Sequence, residues 1–386
     1  MIAYNKTWLY NLFVQSEAET AYNESCITRE EKECIVVKYP AAFYTPNIFI
    51  RIGLFILTII ILIFSFGLIA LLFWSAAKAS VSGLAIFFAI IAFAAMEYML
   101  QRKKHYQSGV DDALLWIAAI SLFCGIVLPN NFDELTTCLV GFIITLICTT
   151  RYADRLMAAT CFLSFLGIVF FISMNIGGFV KAIVPFIVMA ISLVTYILAK
   201  KKNDTETFNV YGQCLVIIEI VSLFTLYAAG NYWVVRELSN SMFNLHLQPG
   251  QSIPFGFVFW GFTIFIPLFY LFLGIKKKDA VLLRVGLILV AAIVFTVRYY
   301  HTVLAIEIAM LLAGSIMIVI AWTLTRYLRV PKHGFTQQEL NSRNVMDNMH
   351  IESLILAETF SQQPQTTEGT KFGGGSFGGA GASGDF

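Results

Sequence analysis

Long apolar runs alternate with short polar connections along most of the chain. Each run is close to the ~20 residues that an α-helix needs to cross a bilayer. Ten such runs lie near residues 48–74, 80–100, 112–128, 135–150, 156–175, 179–199, 209–230, 254–275, 279–297 and 302–325. Brief connections favour antiparallel neighbours. The pattern therefore predicts an all-α fold, a polytopic transmembrane helical bundle of about ten spans.

The segment ahead of the first run, residues 1–46, has the pattern of a small helical cap. Asn5 and Thr28 are residue types that begin helices, and Thr28 forms a Thr-x-x-Glu capping box with Glu31. We call residues 1–46 the N-terminal cap and predict that it lies in the cytosol. Two interpretations stay open: a solvated amphipathic segment that leads into the first span, or a docking module for a protein partner.

The composition changes after the last run. The predicted bundle fills residues 47–328, and a cytosolic juxtamembrane segment follows at 329–360. Residues 361–386 are rich in Gly, Ser and Phe, a composition that cannot pack a core, so we predict a disordered tail. The spaced Phe side chains suggest binding to a partner, and a plain flexible tail is the alternative.

Basic residues predict the orientation of the bundle, because they accumulate on the cytoplasmic side of a membrane. With the N-terminus inside, the inner side holds Arg102, Lys103, Lys104, Arg151, Arg155, Lys200, Lys201, Lys202, Lys276, Lys277, Lys278, Arg326, Arg329 and Lys332. The outer connections hold far fewer, namely Lys78, Lys181, Arg236 and Arg298. We therefore predict that both termini are cytoplasmic.

The overall composition agrees with a membrane protein and limits the kinds of partner and binding site that are predicted. Of the 386 residues, 58% are apolar and 13% are charged, against roughly 25% charged in soluble domains. The formal net charge is +2, which gives no support to a nucleic-acid partner; the lipid bilayer is the predicted partner. The seven Cys include no CxxC pair and no Cys/His spacing typical of metal sites. Neither a metal nor a cofactor is predicted.

Two carboxylates lie inside predicted spans, where a charge at mid-span costs roughly 2.5–3.5 kcal/mol. Glu219 falls near the middle of the seventh run, and Glu307 lies about two helical turns from the outer end of the tenth. A short acid at such depth must be protonated, paired or beside water. Coupling to a proton or ion is one interpretation, and a structural hydrogen bond within the bundle is the other.

A second group of polar residues is predicted at the outer face. Arg298 and His301 flank two tyrosines after the ninth run, and Arg236 lies in the longest outer connection, residues 231–253. Arginine can hold an anionic headgroup or phosphate, and histidine can move a proton. The same residues also fit an interfacial aromatic belt with an anchoring arginine, and Trp233 is predicted to be part of such an anchor.

Other charges lie near the inner ends of runs. Arg284 is about one turn from the inner face, and its long side chain can reach the headgroups, so we interpret it as a structural anchor. Asp111 and Asp112 lie where the third run begins, and we interpret them as the cap of that helix, because acids favour a helix N-terminus. Arg51 is a charge within the first run.

Several segments resemble known groups of membrane proteins. Trp8-Leu9, Ile27–Glu31 and Tyr39-Pro40, followed at once by stacked spans, are similar to the uncharacterised multi-span bacterial proteins grouped as domain of unknown function 2157. Leu282–Leu287, Phe295–Tyr300 and Phe372–Gly381 are similar to hypothetical membrane proteins of Bacteroidota. The resemblance implies a bacterial cytoplasmic (inner) membrane. It implies no activity and no defined site.

Three functions stay open at this point. The first is transport or binding of a small molecule or ion by Glu219 and Glu307, and the second is a membrane-embedded transferase that acts on a lipid-linked or envelope substrate at Arg298 and His301. The third is a scaffold or sensor that acts through the N-terminal cap and the Gly/Phe-rich tail. The sequence contains neither G-x-x-x-x-G-K-[ST] nor H-E-x-x-H, so a nucleotide-driven motor and a common zinc protease are not predicted. An enzyme is the less favoured class.

Overall fold

The computed structural model describes residues 2–74, 80–176, 180–205, 210–243 and 253–300, and nine single positions between 308 and 326. The chain divides into two compact units, Met1–Met317 and Ile318–Phe386. In the second unit the described positions are helical, and the Arg326 guanidinium lies 5.3 Å from the centre of the Trp322 ring. All the elements and sites discussed below belong to the first unit.

The described ranges contain twelve α-helices and one isolated β-bridge, between Tyr44 and His105. The helices are α1 (Lys6–Asn23), α2 (Arg29–Lys38), α3 (Ile48–Leu72), α4 (Val81–Lys103), α5 (Val110–Val127), α6 (Glu134–Tyr152), α7 (Arg155–Ile176), α8 (Val180–Thr205), α9 (Gly212–Gly230), α10 (Tyr232–Phe243), α11 (Gly256–Lys277) and α12 (Ala280–Tyr300). The fold is therefore all-α, as predicted.

Nine of the described helices, α3 to α9 together with α11 and α12, are long and apolar enough to cross a membrane. They coincide with the first nine predicted runs to within a few residues. The protein is therefore an integral membrane protein with a polytopic helical bundle. The tenth predicted run, residues 302–325, lies mostly outside the described residues and stays a prediction.

Sequence neighbours pack together as helical hairpins. The pairs α4–α5, α6–α7, α8–α9 and α11–α12 make the most extensive contacts. Helix α3 packs on α5 and has no buried residue, so its apolar side chains are left for lipid. Helix α9 contacts α7, α8, α10, α11 and α12. Because so many elements surround α9, a polar group in its middle is enclosed by protein.

Two of the hairpin turns are built in the same way. Ala153 ends α6 with φ of 50°, and Lys278 ends α11 with φ of 54°. The residues that follow, Asp154 and Asp279, each accept a hydrogen bond from a backbone N–H of the next helix, at 2.8 and 3.0 Å. A left-handed residue closes one helix and an aspartate caps the next. The two pairs are therefore antiparallel, with almost no connecting loop.

The two ends of the bundle differ in chemistry. The basic end holds the N-termini of α3, α5, α7, α9 and α12 and the connections rich in Lys and Arg. At the aromatic end, ring centroids 5.0 to 6.0 Å apart join α10, α11 and α12. The rings are those of Tyr232, Trp233, Trp260, Phe295, Tyr299 and Tyr300. The names basic end and aromatic end are kept below.

The N-terminal cap is the pair of helices predicted from its start signals. The Asn5 side chain accepts a hydrogen bond from a backbone N–H of α1 at 2.9 Å. The capping box is present: Glu31 N donates to the Thr28 hydroxyl at 3.3 Å, and Thr28 N donates to the Glu31 carboxylate at 2.8 Å. Asn11 donates to Pro40 O at 2.7 Å, which ties α1 to the chain that follows α2.

Candidate functional site

Glu219 lies near the middle of α9, and only 2% of its surface is exposed. The buried Ser222 follows one turn later and donates its hydroxyl hydrogen to Glu219 O at 2.8 Å. This acid therefore lies near the middle of a long apolar helix and is enclosed by protein. A carboxyl group so placed holds or releases a proton only through its immediate surroundings, because its short side chain cannot reach the membrane surface.

Arg236 lies in α10 at the aromatic end and is 9% exposed. Its guanidinium carbon lies 5.3 Å from the centre of the Tyr300 ring, and its Nη1 lies 3.7 Å from Glu237 Oε1. The contact with Tyr300 raises the pKa of Arg236 above its ordinary value. Tyr300 ends α12 two residues after Arg298, so the structure brings Arg236 to the segment that carries Arg298.

The position of α10 is set by the buried hydrogen bonds of the Asn231 side chain. The Asn231 amide donates to the Tyr227 hydroxyl at 2.9 Å and to the Thr296 hydroxyl at 3.0 Å. Its carbonyl oxygen accepts from Trp233 N at 3.0 Å, which caps α10. One side chain thus joins α9, α10 and α12. The outer connection predicted over residues 231–253 therefore begins with an anchored helix.

Trp233 and Arg284 were predicted to be anchors. The Trp233 ring lies 5.4 Å from the Phe295 ring and 6.0 Å from the Tyr299 ring, so it belongs to the aromatic end. Arg284 lies in the second turn of α12, at the basic end. Along α12 it is roughly 21 Å from Arg298, at 1.5 Å per residue. The two arginines therefore belong to different ends, as predicted.

The other predicted partners at the outer face, His301 and Glu307, lie outside the described residues. The grouping of His301 with Arg298 and the depth of Glu307 stay predictions. The transferase function, which depends on His301, stays a prediction for the same reason.

A polar group at the basic end was not predicted from the sequence. Arg51 Nη2 lies 2.6 Å from Asp112 Oδ2. The neighbouring Asp111 is 4% exposed and accepts from Ser108 N at 2.8 Å and from the Ser108 hydroxyl at 2.9 Å. His105 Nδ1 lies 2.7 Å from that hydroxyl. Both aspartates lie in the first turn of α5, as interpreted from the sequence, but no side-chain hydrogen bond caps that helix; the two side chains bind Ser108 and Arg51 instead.

The same group extends to α7 and α9. Arg155 donates to the side-chain oxygen of Gln213 at 2.8 Å and to that of Gln107 at 3.1 Å. Trp116 Nε1 donates to Asp154 Oδ1 at 3.2 Å. Burial raises the pKa of Asp154, while this hydrogen bond and the backbone N–H groups that Asp154 caps oppose the shift. Side chains from α5, α7, α9 and the α4–α5 loop therefore meet here.

We call this group the basic-end cluster. Its members are Arg51, His105, Gln107, Ser108, Asp111, Asp112, Asp154, Arg155 and Gln213. Within it, carboxylates outnumber guanidinium groups by three to two. The surplus of acid favours a proton or a hydrated cation over an anion.

The basic-end cluster and Glu219 share helix α9. Gln213 belongs to the cluster, and the next residue, Cys214, lies 3.5 Å from Asp154 O through its sulfur. Glu219 follows Cys214 by five residues, which is roughly 7.5 Å along an α-helix. Glu219 therefore lies farther along α9 from the basic end of the bundle than the cluster does.

The cluster depends on contacts that are distant in sequence. Arg51 was visible as a charge within an apolar run, but its partner Asp112 is 61 residues away. The combination of a charge in the first span with an acid pair at the start of the third was the available signal.

Comparisons of the chain with protein families, with curated proteins and with solved structures gave no match.

Proposed function

We propose that this integral membrane protein transports or binds a small molecule or ion, with Glu219 as the carboxylate that takes up and releases a proton or small cation. The enclosure of Glu219, 2% exposed in the middle of α9, carries the proposal. A carboxylate at mid-span costs roughly 2.5–3.5 kcal/mol, so such residues commonly mark ion pathways and proton relays.

The basic-end cluster supports the same proposal, because it places three acids at the end of the bundle from which α9 leads to Glu219. Its three carboxylates are Asp111, Asp112 and Asp154, and the last caps α7 beside Cys214. A proton or small cation that reaches these acids is about 7.5 Å along α9 from Glu219. Glu307 stays a predicted second carboxylate.

We further propose that the basic end faces the cytoplasm of a bacterial inner membrane, with both termini inside. The accumulation of Lys and Arg in alternate connections supports this orientation. The bacterial membrane is proposed from the resemblance of short sequence segments alone, because no family model matches the chain.

The proposal is tested by Glu219→Gln in purified protein reconstituted into vesicles. A potassium gradient with valinomycin sets the membrane potential, and a pH-sensitive dye inside the vesicles reports proton uptake. Glutamine keeps the shape of glutamate but cannot titrate. We therefore expect proton uptake to fall by roughly tenfold or more.

The matched control is Glu134→Gln, which changes the same chemical group at an exposed position at the start of α6. This variant is expected to keep the wild-type rate. The proposal is contradicted if Glu219→Gln takes up protons at the wild-type rate and circular dichroism shows that this variant is folded.

A further inference from the structure

The first described residues of the N-terminal cap lie over the basic-end cluster. Ala3 N donates to Arg151 O at 2.8 Å, which ties the segment to the end of α6. Further along, Lys104 Nζ lies 4.7 Å from the centre of the Trp8 ring, which ties α1 to the end of α4. Residues 2–8 are thus attached to the bundle on two sides of the cluster.

Tyr4 occupies the centre of this segment. Its ring lies 4.9 Å from the Tyr106 ring, on the loop that carries the cluster's histidine and serine, and 6.1 Å from the Phe43 ring. Loss of hydration raises the pKa of Tyr4 well above its ordinary value, and the charge of Asp111 adds to the shift. The Tyr4 side chain therefore packs on the loop that carries the cluster and lies near enough to Asp111 to feel its charge.

The segment is held by few buried groups. Helix α2 has no buried residue, and α1 has three, Leu9, Asn11 and Ala18. Regions with few buried apolar contacts open locally at a small fraction of the global free energy of unfolding. The helices beneath it share a buried core between α4, α5, α6 and α7, and Ala3 and Tyr4 pack against that core while only partly buried themselves. The N-terminal segment can therefore detach while the bundle stays folded.

We propose that residues 2–8 form a movable cover over the basic-end cluster, and that this cluster is the opening through which protons or hydrated cations pass toward Glu219. With the cover in place, Tyr4 keeps water from the acids; with the cover detached, Asp111, Asp112 and Asp154 face the solution. The role of the opening rests on the proposed function, whereas the existence of a movable cover does not.

The protein contains a natural reporter for the cover. Cys214 is 2% exposed and lies against Asp154, near Tyr106, on whose ring Tyr4 packs. Cys148, also 2% exposed, lies in the core of the bundle among α4, α5 and α7 and reports unfolding instead. Cys26 and Cys34 are exposed in the N-terminal cap and are replaced by serine to remove background labelling.

In this Cys26→Ser/Cys34→Ser background, we expect Tyr4→Ala to raise the rate at which Cys214 reacts with a cationic methanethiosulfonate reagent. Removal of the ring deletes the centre of the cover, so the reaction is expected to accelerate by roughly tenfold or more. Peptide mass spectrometry gives the labelled fraction of each cysteine over time. Tyr4→Phe keeps the ring and is expected to react at close to the unmodified rate.

The matched control is Tyr10→Ala, which removes a tyrosine ring that is 45% exposed in helix α1, just after the cover. It is expected to leave Cys214 protected. The proposal of a cover is overturned if Cys214 is labelled equally in the Tyr4→Ala, Tyr10→Ala and unmodified proteins while Cys148 stays unlabelled in all three.

If Tyr4→Ala also exposes Cys148, the bundle has unfolded, and Lys104→Ala decides instead, because it removes only the contact with Trp8. Faster labelling of Cys214 alone in Lys104→Ala supports the cover, and an unchanged rate overturns it.

Proton uptake separates this inference from the proposed function. Faster uptake in Tyr4→Ala that is lost again in Tyr4→Ala/Glu219→Gln supports both. Faster labelling of Cys214 with no effect of Glu219→Gln on uptake keeps the cover and overturns the function. Unchanged labelling of Cys214 in Tyr4→Ala, together with loss of proton uptake in Glu219→Gln, supports the proposed function and overturns the cover.

Discussion

At the scale of single residues, the pair of Arg51 and Asp112 explains how a charge is tolerated in the first span. The side chains are 28% and 16% exposed, and their nearest atoms are 2.6 Å apart. A partly buried pair with good geometry offsets much of the cost of removing both charges from water. If one partner is lost, the other remains charged in a poorly hydrated place.

We expect Asp112→Asn to lower the free energy of unfolding by roughly 1–2 kcal/mol, because a charged hydrogen bond is lost at a partly exposed site. Denaturant unfolding in detergent micelles measures the change. The control Glu134→Gln is expected to stay within about 0.5 kcal/mol. The double variant Arg51→Gln/Asp112→Asn should lose less than the sum of the two single variants; full additivity would contradict the pairing.

At the scale of elements, the loop between α4 and α5 holds the cluster and the cover together. Gly109 in this loop has φ of 88°, and a Cβ atom there would overlap the carbonyl oxygen of Arg51. The loop therefore lies directly against the first turn of α3. Tyr44 N donates to Lys104 O at 2.9 Å on the other side of the same loop. One short segment thus positions α3, α5 and the N-terminal cap.

We expect Gly109→Ala to destabilise the protein by more than about 3 kcal/mol. A left-handed backbone strains alanine by roughly 1–3 kcal/mol, and the overlap with a backbone atom of α3 adds to this, because backbone cannot move aside cheaply. Thermal unfolding measured by intrinsic fluorescence gives the change.

The control for this variant is Gly53→Ala, in α3, where a Cβ atom meets nothing within 4 Å. Alanine favours a helix over glycine by roughly 1 kcal/mol, so this variant is expected to be at least as stable as the natural protein. Equal stability of the two variants would show that the loop does not contact α3 closely.

At the scale of the whole molecule, the proposed orientation follows from one chemical asymmetry, the basic residues gathered at a single end of the bundle. The exposed Cys26 and Cys34 lie in the N-terminal cap, which packs on that end. In right-side-out bacterial vesicles, we expect a membrane-impermeant maleimide to label them only after the membrane is opened. Asn130→Cys, in the connection between α5 and α6, should react without opening. The reverse pattern would contradict the orientation.

The spans could be predicted from the sequence, whereas the cluster could not. An apolar run such as Ile48–Leu72 can be identified as a transmembrane helix without knowledge of its neighbours, because its length and mean hydropathy suffice for the prediction. These runs are apolar on all sides, so they carry little information on which faces meet. The Arg51–Asp112 contact depends on how α3 packs against α5. Glu219 was found because its position inside an apolar run marks it, whereas the sequence carries no sign of which side chains the acids at the start of α5 bind.

The hydrogen bond between Ala3 N and Arg151 O also sets an order for biosynthesis. A chain is made and inserted from its N-terminus, so residues 2–8 emerge long before their acceptor at the end of α6 exists. Until Arg151 has been made, residues 2–8 can be held near Asp111 and Asp112 by their contacts with Phe43, Lys104 and Tyr106, but not by this hydrogen bond. The full attachment of the proposed cover therefore forms only after α1 to α6 have been made.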